Sequence, residues 1–159
     1  MLKVMPAAPV PRLDAAVMSD LSLARYLGYA ALPEAQALAR RLEQEEAAKL
    51  AQGIHLIAVQ GADGGLVVGD SHHHELAPSP FAASVVDDLI LAELDAVLDL
   101  PARRVVERWQ GTYAHLPDRR AVVDAPEPAT RLVVVTSGTG ASTAFAIGEE
   151  VIDELFGRG

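Results

Sequence analysis

A short β-hairpin in the middle of the chain places the strongest limit on the fold. Residues 54–60 and 66–71 are two runs rich in apolar and β-branched side chains, and an Asp-Gly turn lies between them. Strands joined by so short a turn pair antiparallel. The chain is therefore expected to contain an antiparallel sheet, and the helical patterns on either side of the hairpin must pack against that sheet.

Two helices flank the hairpin in sequence. The first is predicted over residues 33–51, beginning at its proline, and its charged side chains, Lys49 among them, are expected to face water. Ser84 and Asp87 resemble a capping box that begins the second helix. The apolar face of the second helix is expected to contain Val85, Val86, Leu89, Ile90, Leu94, Val97 and Leu98, with Asp87, Asp88, Glu93 and Asp95 facing out.

Short strands and a glycine-rich loop complete the predicted fold. Strands are predicted over residues 2–5, 104–113, 121–124 and 132–135. The last strand is a continuous apolar run, so it is expected to be buried on both faces. It leads through SGTGAST into a final helix over residues 143–156. The fold class is therefore α+β, a single domain over residues 1–159 with an antiparallel sheet, packed helices and a carboxy-terminal unit of strand, glycine loop and helix.

Composition excludes several classes of function. Acidic residues outnumber Lys and Arg 22 to 13, and the net charge of -9 opposes binding to nucleic acid. The chain has no cysteine, which excludes disulfides, thiolate nucleophiles and cysteine-based metal sites. No stretch reaches the roughly 20 apolar residues of a membrane span, and prolines interrupt the first residues where a signal peptide needs its apolar segment. We expect a soluble cytoplasmic protein that binds neither nucleic acid nor membrane.

The carboxy-terminal strand, glycine loop and helix form the first candidate site. Gly138 and Gly140 allow a sharp turn and a close approach of the backbone to a ligand. The helix that follows directs its free N–H groups and its positive dipole end at the loop, which favours a negatively charged group. The motif lacks the third glycine of a GxGxxG dinucleotide fingerprint and the lysine of a P-loop. Taken alone, the motif is weak evidence for a ligand site, and a structural turn explains it better.

Three consecutive histidines form the second candidate site. In GDSHHHE, a strand would place Asp70, His72 and His74 on one face and His73 on the other, so a metal site with two histidines and one carboxylate is geometrically possible. Such a site needs further ligands at suitable spacing, and His55 is distant in sequence. We therefore interpret the histidines as surface or site-lining residues and predict no metal.

The third candidate is the segment ERWQGTYAHLPD. It places Trp109 and Tyr113, two of the chain's few aromatic residues, before a Pro-Asp turn. Taken alone, these residues are explained better by core packing and a hairpin turn than by a binding site.

Taken together and in order, these segments resemble the carboxy-terminal half of the D-amino-acid-oxidase superfamily, which includes glycine and sarcosine oxidases. The matching segments are LVVGDSHHH, the helix from Ser84, RWQGTYAHLPD and VVVTSGTGASTAFAIGEEVIDELF. The combination of GDSHH, ERWQGTYA and VVTSGTGASTAFAIGEE is similar to a bacterial subgroup associated with phosphonate breakdown. The likeness covers essentially the whole chain.

The resemblance implies an FAD-dependent oxidation of a small amine or amino acid by hydride transfer to the flavin, in which no protein nucleophile is needed. It implies that a loop beside the pyrimidine edge of the flavin contains Ser137, Gly138, Thr139, Gly140, Ala141, Ser142 and Thr143. The candidates for lining the substrate site are His72, His73, Arg108, Trp109 and Tyr113. Tyr113 stands where amino-acid oxidases of this family often carry a carboxylate-binding arginine, so an aminophosphonate or another small amine becomes a candidate substrate. No catalytic residue is assigned.

The Rossmann half of such enzymes, with its GxGxxG motif, is not found in these residues. We therefore expect weak or no binding of FAD by this chain alone, and a fragment or split subunit that works with a Rossmann-domain partner chain. Apolar surface left without that partner would favour a homo-oligomer. The alternative function is an inactive binding module that retains the substrate-domain fold.

Overall fold

The computed structural model describes residues 1–157 and confirms the α+β class. The first compact unit, Met1–Gln110, contains β1 (Leu2–Pro6), β2 (Val17–Met18), α1 (Asp20–Arg25), α2 (Leu27–Ala30), α3 (Pro33–Glu45), α4 (Ala47–Ala51), β3 (Ile57–Gln60), β4 (Leu66–Gly69), α5 (Ser84–Val97) and β5 (Arg103–Arg108). The second unit begins at Gly111 and contains β6 (Ala121–Asp124), β7 (Leu132–Val135) and α6 (Gly140–Phe156). The single domain expected from the sequence stays a prediction.

A five-stranded antiparallel sheet forms the centre of the first unit, in the order β2-β3-β4-β1-β5. The predicted hairpin is confirmed as β3 and β4, with Val59 opposite Val67. Both strands are shorter than predicted, because regular pairing stops at Ile57 and Gly69. The predicted strand at the start of the chain is also confirmed, and β1 lies between β4 and β5.

The core of the first unit lies between this sheet and the helices. The sheet side contributes Leu2, Val4, Leu56, Ala58, Leu66 and Val68, and the helices contribute Leu21, Leu42, Ile90 and Leu94. Leu2 and Val4 are fully buried, as expected for alternate residues of a central strand with one face on the core. The helix predicted over residues 33–51 is divided at Glu46, whose φ of -127° interrupts the helical backbone.

The start of α5 differs from the sequence prediction. Ala83 is the N-cap residue and no side-chain hydrogen bond caps the helix, so the predicted capping box is wrong. Ser84 is already the first helical residue, which places its hydroxyl one position too late to act as the cap. The Asp87 carboxylate instead accepts a hydrogen bond of 2.6 Å from Arg108 Nε. Val85 is 56% exposed and does not belong to the buried face.

Two charges predicted to face water are buried and paired with each other. Lys49 Nζ on α4 lies 2.7 Å from Glu93 Oε2 on α5 and 2.8 Å from Glu46 Oε2. The side chains of Lys49 and Glu93 are 11% and 4% exposed. Burial lowers the pKa of Lys49, but the hydrogen bonds to Glu46 and Glu93 outweigh burial and raise it above its ordinary value. The pair therefore links α4 to α5 as an ion pair.

We predict that Glu93→Ala lowers the free energy of unfolding by about 3–5 kcal/mol, because it removes a buried anion and leaves Lys49 with a single partner. Replacing both ends, in Lys49→Met with Glu93→Leu, should recover most of that loss. Asp88→Asn on the exposed side of α5 serves as the control, with a change below about 0.5 kcal/mol. Urea unfolding measures all three, and an equal loss in the single and double variants would contradict the pairing argument.

The second unit contains the strand, glycine loop and helix predicted at the end of the chain. β6 pairs antiparallel with β7, and α6 follows after a short loop that begins at Thr136. The prediction that β7 is buried on both faces is wrong, since Leu132 is 55% and Val134 37% exposed. In the part of the chain that the structure describes, this sheet consists of β6 and β7. Among residues 1–157, no helix is long and apolar enough to cross a membrane.

Candidate functional site

The loop between β7 and α6 makes a sharp turn that requires glycine at one position. Gly138 has a φ of +70°, a left-handed conformation that other L-residues adopt only at a cost of about 1–2 kcal/mol. Gly140 has no such φ, and a Cβ added there would lie 3.8 Å from Val135, an ordinary contact. The turn therefore accounts for Gly138, whereas the fold of this chain leaves Gly140 unexplained.

Hydroxyl groups hold this loop in place. Thr136 Oγ1 donates a hydrogen bond of 2.8 Å to the carbonyl of Arg119, and Ser137 Oγ donates one of 3.1 Å to the carbonyl of Arg120. Because the single hydrogen of Ser137 is used in that bond, Thr139 Oγ1 donates to Ser137 Oγ, at 2.7 Å. The loop is thus tied to the segment before β6 through side chains as well as backbone.

The amino-terminal end of α6 keeps its N–H groups free of a side-chain cap. Thr139 is the N-cap residue, but its hydroxyl bonds to Ser137 and not to the helix. The hydroxyls of Ser142 and Thr143 both donate to the carbonyl of Thr139 at 2.9 Å. In the first turn of any helix the N–H groups have no helical acceptor, which leaves those of Gly140 and Ala141 available. The helix dipole gives this amino-terminal end a partial positive charge of about one half. The end therefore favours an anionic or electron-rich group.

Tyr113 lies directly against this loop, within the second unit. A Cβ added to Gly138 would come within 3.4 Å of Tyr113 Oη and 3.6 Å of Cε2. Tyr113 itself is 53% exposed. The structure therefore brings together a candidate substrate residue and the candidate flavin loop, which the sequence placed 25 residues apart.

A second group of polar residues lies where the hairpin of the first unit ends. The side chains of His55, Asp70 and His72 converge, each offering one ligand atom, and these atoms all lie within 4.8 Å of one another. His55 Nε2 is 3.1 Å from Asp70 Oδ1, and His72 Nε2 is 3.6 Å from Asp70 Oδ2. The two imidazole rings stack with their centroids 5.0 Å apart. Asp70 and His72 were expected to share a face, whereas His55 was considered too distant in sequence.

A one-residue shift in the hairpin register produces this convergence. Ile57 pairs with Gly69, so an unbroken register would place His55 opposite Ser71. Instead, the backbone N–H and C=O groups of His55 bond to those of Asp70, at 3.1 and 2.8 Å. Leu56 is the extra residue, as in a β-bulge, a device that turns side chains toward a site. The hairpin predicted from the sequence could have placed His55 opposite Asp70, but only if the bulge at Leu56 had been included.

Burial controls the charge of both histidines. Burial, with smaller contributions from Arg25 and His72, lowers the pKa of His55 to about 4, although the Asp70 carboxylate acts in the opposite direction. Burial also lowers the pKa of His72, assisted by Arg25 and His74, against Asp70 and the carbonyl of Gly53. The short distances to Asp70 suggest charged histidines, but the loss of hydration decides the balance. Both imidazoles are neutral near pH 7.

The remaining candidate residues are more dispersed. His73 is exposed and lies outside the cluster of converging ligand atoms. Arg108 pairs with Asp87, so its charge is already partly neutralised. Trp109 follows β5 and is 41% exposed, and its backbone exchanges hydrogen bonds with that of Met1.

The chain belongs to the FAD-dependent oxidoreductases: the family model DAO, described as FAD dependent oxidoreductase, matches residues 16–154. The match includes the histidine cluster, the Trp109 segment and the loop before α6. This agrees with the superfamily that the motifs resemble. No curated protein and no solved structure matches the chain.

We predict that the fold loses stability below pH 6.5 partly through His55. The pKa of His55 is about 4 in the folded chain and 6.5 ordinarily, so between these values the unfolded chain binds a proton that the folded chain does not. The contribution of His55 to the free energy of unfolding is therefore fully present above pH 6.5. Between pH 6.5 and pH 4 it falls by up to about 1.4 kcal/mol per pH unit, roughly 3 kcal/mol in all.

Denaturant unfolding at pH 7 and pH 5, with a chelator present, measures this loss. His55→Gln should reduce the difference between the two pH values, and His73→Gln, at an exposed neighbour, should leave it unchanged. An unchanged difference in His55→Gln would show that other groups determine the acid sensitivity.

Proposed function

We propose that this chain supplies the substrate-facing and flavin-contacting part of an FAD-dependent oxidoreductase that oxidises a small amine or amino acid. The observation that supports this most directly is the uncapped end of α6 after the Gly138 turn, in a chain whose family uses FAD. FAD, when bound, would accept a hydride from the carbon next to the amine nitrogen of the substrate. Water would then hydrolyse the resulting imine.

The residues at the start of α6 fit the pyrimidine edge of a flavin. The N–H groups of Gly140 and Ala141 would donate to the carbonyl there and stabilise the negative charge that arrives with the hydride. The absence of a side chain at Gly140 would let the ring approach the helix end, which explains a glycine that the fold itself does not need. Thr139 leaves the site open because its hydroxyl is turned toward Ser137.

The chemistry near this loop supports a substrate other than an ordinary α-amino acid. Tyr113 beside Gly138 offers one hydroxyl, whereas a carboxylate is usually bound by the paired N–H groups of an arginine. Arg108, the candidate arginine in the first unit, is engaged with Asp87 of that unit. We therefore propose a small amine, with an aminophosphonate as the specific candidate from the resemblance of GDSHH and its companion motifs.

We further propose that FAD is bound together with a dinucleotide-binding partner, because these residues contain no GxGxxG motif. Exposed apolar residues on α6 support an interaction of this kind. Phe145 is 93%, Ile152 48% and Phe156 70% exposed, and their spacing places them on one side of the helix.

The test is spectroscopic. The chain is purified alone and with the dinucleotide-binding chain that accompanies it in its source cells, and the visible absorbance of oxidised flavin is measured. We expect flavin with the complex and little with the chain alone, and we expect aminophosphonates or small amines to bleach it without oxygen. A complex that holds no flavin, or flavin that no small amine reduces, would favour the inactive binding module instead.

Two matched variants of α6 test the contact at the helix end. Gly140→Leu should leave the fold intact, because a Cβ there would meet Val135 at an ordinary 3.8 Å, but should reduce flavin retention by about tenfold or more. Glu150→Leu, at an exposed position of the same helix on the side away from Phe145 and Ile152, should leave flavin retention unchanged. Equal retention in the two variants would argue against this position for the ring.

A further inference from the structure

We propose that His55, Asp70 and His72 form a binding site for one divalent transition-metal ion, held by two imidazole nitrogens and one carboxylate. The convergence of the three ligand atoms within 4.8 Å is the first observation behind this site. The site lies in the first unit and is independent of the flavin chemistry proposed above. It replaces the arrangement with His74 that the sequence pattern allowed.

The hydrogen-bond partners of His72 leave a lone pair facing Asp70. His72 Nδ1 lies 3.4 Å from the carbonyl oxygen of Gly53, which can only accept, so a hydrogen bond there places the proton on Nδ1. In the neutral ring, Nε2 then carries a lone pair, and it faces Asp70 Oδ2 at 3.6 Å. Two electron-rich atoms in this arrangement repel each other unless a cation lies between them.

His55 has the same arrangement with a different partner. Ser22 Oγ donates its only hydrogen to the carbonyl of Leu56 at 2.7 Å, so toward His55 Nδ1, at 3.4 Å, it can only accept. A neutral His55 can donate to Ser22 Oγ only if its proton is on Nδ1. Its Nε2 then carries a lone pair, which faces Asp70 Oδ1 at 3.1 Å. Metal-binding histidines characteristically donate their other N–H to a protein acceptor in this way.

The backbone fixes the ligands in place before any ion binds. His72 N–H donates to the carbonyl of Gln52 at 3.2 Å, and His55 and Asp70 are joined by two backbone hydrogen bonds. Gly53, with a φ of +59°, permits the close approach: a Cβ there would lie 2.5 Å from the His72 carbonyl oxygen. The side chains are also shielded, with 6% of His55 and 14% of His72 exposed.

The ligand set indicates the class of ion. Two imidazoles and a carboxylate suit zinc and its neighbours, such as cobalt(II), nickel(II) and iron(II), whereas calcium and magnesium prefer oxygen ligands. Both histidines are neutral near pH 7, the form that a metal requires. Three protein ligands would leave positions for water or a small anion. The Arg25 guanidinium, which donates to the Gly53 carbonyl at 3.3 Å, is a nearby charge that opposes the ion.

Titration of the chelator-treated full chain with Co²⁺, followed by visible absorbance, and with Zn²⁺, followed by calorimetry, tests the site. We expect one ion of either metal per chain. His72→Ala and Asp70→Asn should each weaken binding by more than about 100-fold, while His73→Ala, an exposed neighbour, should bind as the original chain does. Arg25→Gln should tighten binding, because it removes a repelling charge.

Urea unfolding in the presence of chelator identifies any variant that has lost its fold, and Asp70→Asn, which keeps the shape of the side chain, provides the result if His72→Ala unfolds. The proposal is overturned if the folded chain binds no Co²⁺ or Zn²⁺, or if His73→Ala weakens binding as much as Asp70→Asn does. A proton shared by His55 and Asp70 would then satisfy the cluster in place of a metal.

Discussion

The position of β1 in the sheet determines where the functional residues of the first unit lie. β1 pairs antiparallel with β4 on one side and β5 on the other, so β4 and β5 run in the same direction and end at the same edge. Val68 and Arg108 both lie opposite Leu2, one on each side. The segments that follow, with His72 after β4 and Trp109 after β5, therefore start two strand spacings apart, about 10 Å. Without β1, the facing edges of β4 and β5 would lose their backbone hydrogen-bond partners, which costs free energy wherever those groups are buried.

Patterns of local sequence predicted the elements well where the pattern depends only on neighbouring residues. Alternation and the Asp-Gly turn identified β3 and β4, and helical periodicity identified α5 and α6. The same reasoning failed for Lys49 and Glu93, because a charge on a helix faces water unless a distant residue compensates its burial, and the two are 44 residues apart. It failed for β7 because an apolar sequence shows only that a strand can be buried. Whether the strand is buried depends on the elements that pack against it.

In the candidate sites, too, the features that depend on neighbouring residues could be predicted and those that depend on distant residues could not. The turn at Gly138 could be predicted, because a strand, a glycine-containing loop and a helix form a local unit with one geometry. The approach of Tyr113 to that turn could not, since nothing local specifies it. His55 was missed for a more particular reason: the ideal hairpin register places it opposite Ser71, and one bulged residue, Leu56, moves it to Asp70. One bulged residue thus decides whether His55 is an isolated histidine or a member of the cluster with Asp70 and His72.

The two candidate sites have opposite electrostatic character. The end of α6 presents N–H groups and a positive dipole end, which stabilise negative charge, and the polar side chains around it satisfy one another without using those groups. The histidine cluster presents lone pairs and a carboxylate, which stabilise positive charge. Each lies within its own compact unit, and the hydrogen bonds described above for each site come from residues of the same unit. The flavin and metal proposals therefore rest on separate contacts, and the failure of either would leave the physical argument for the other unchanged.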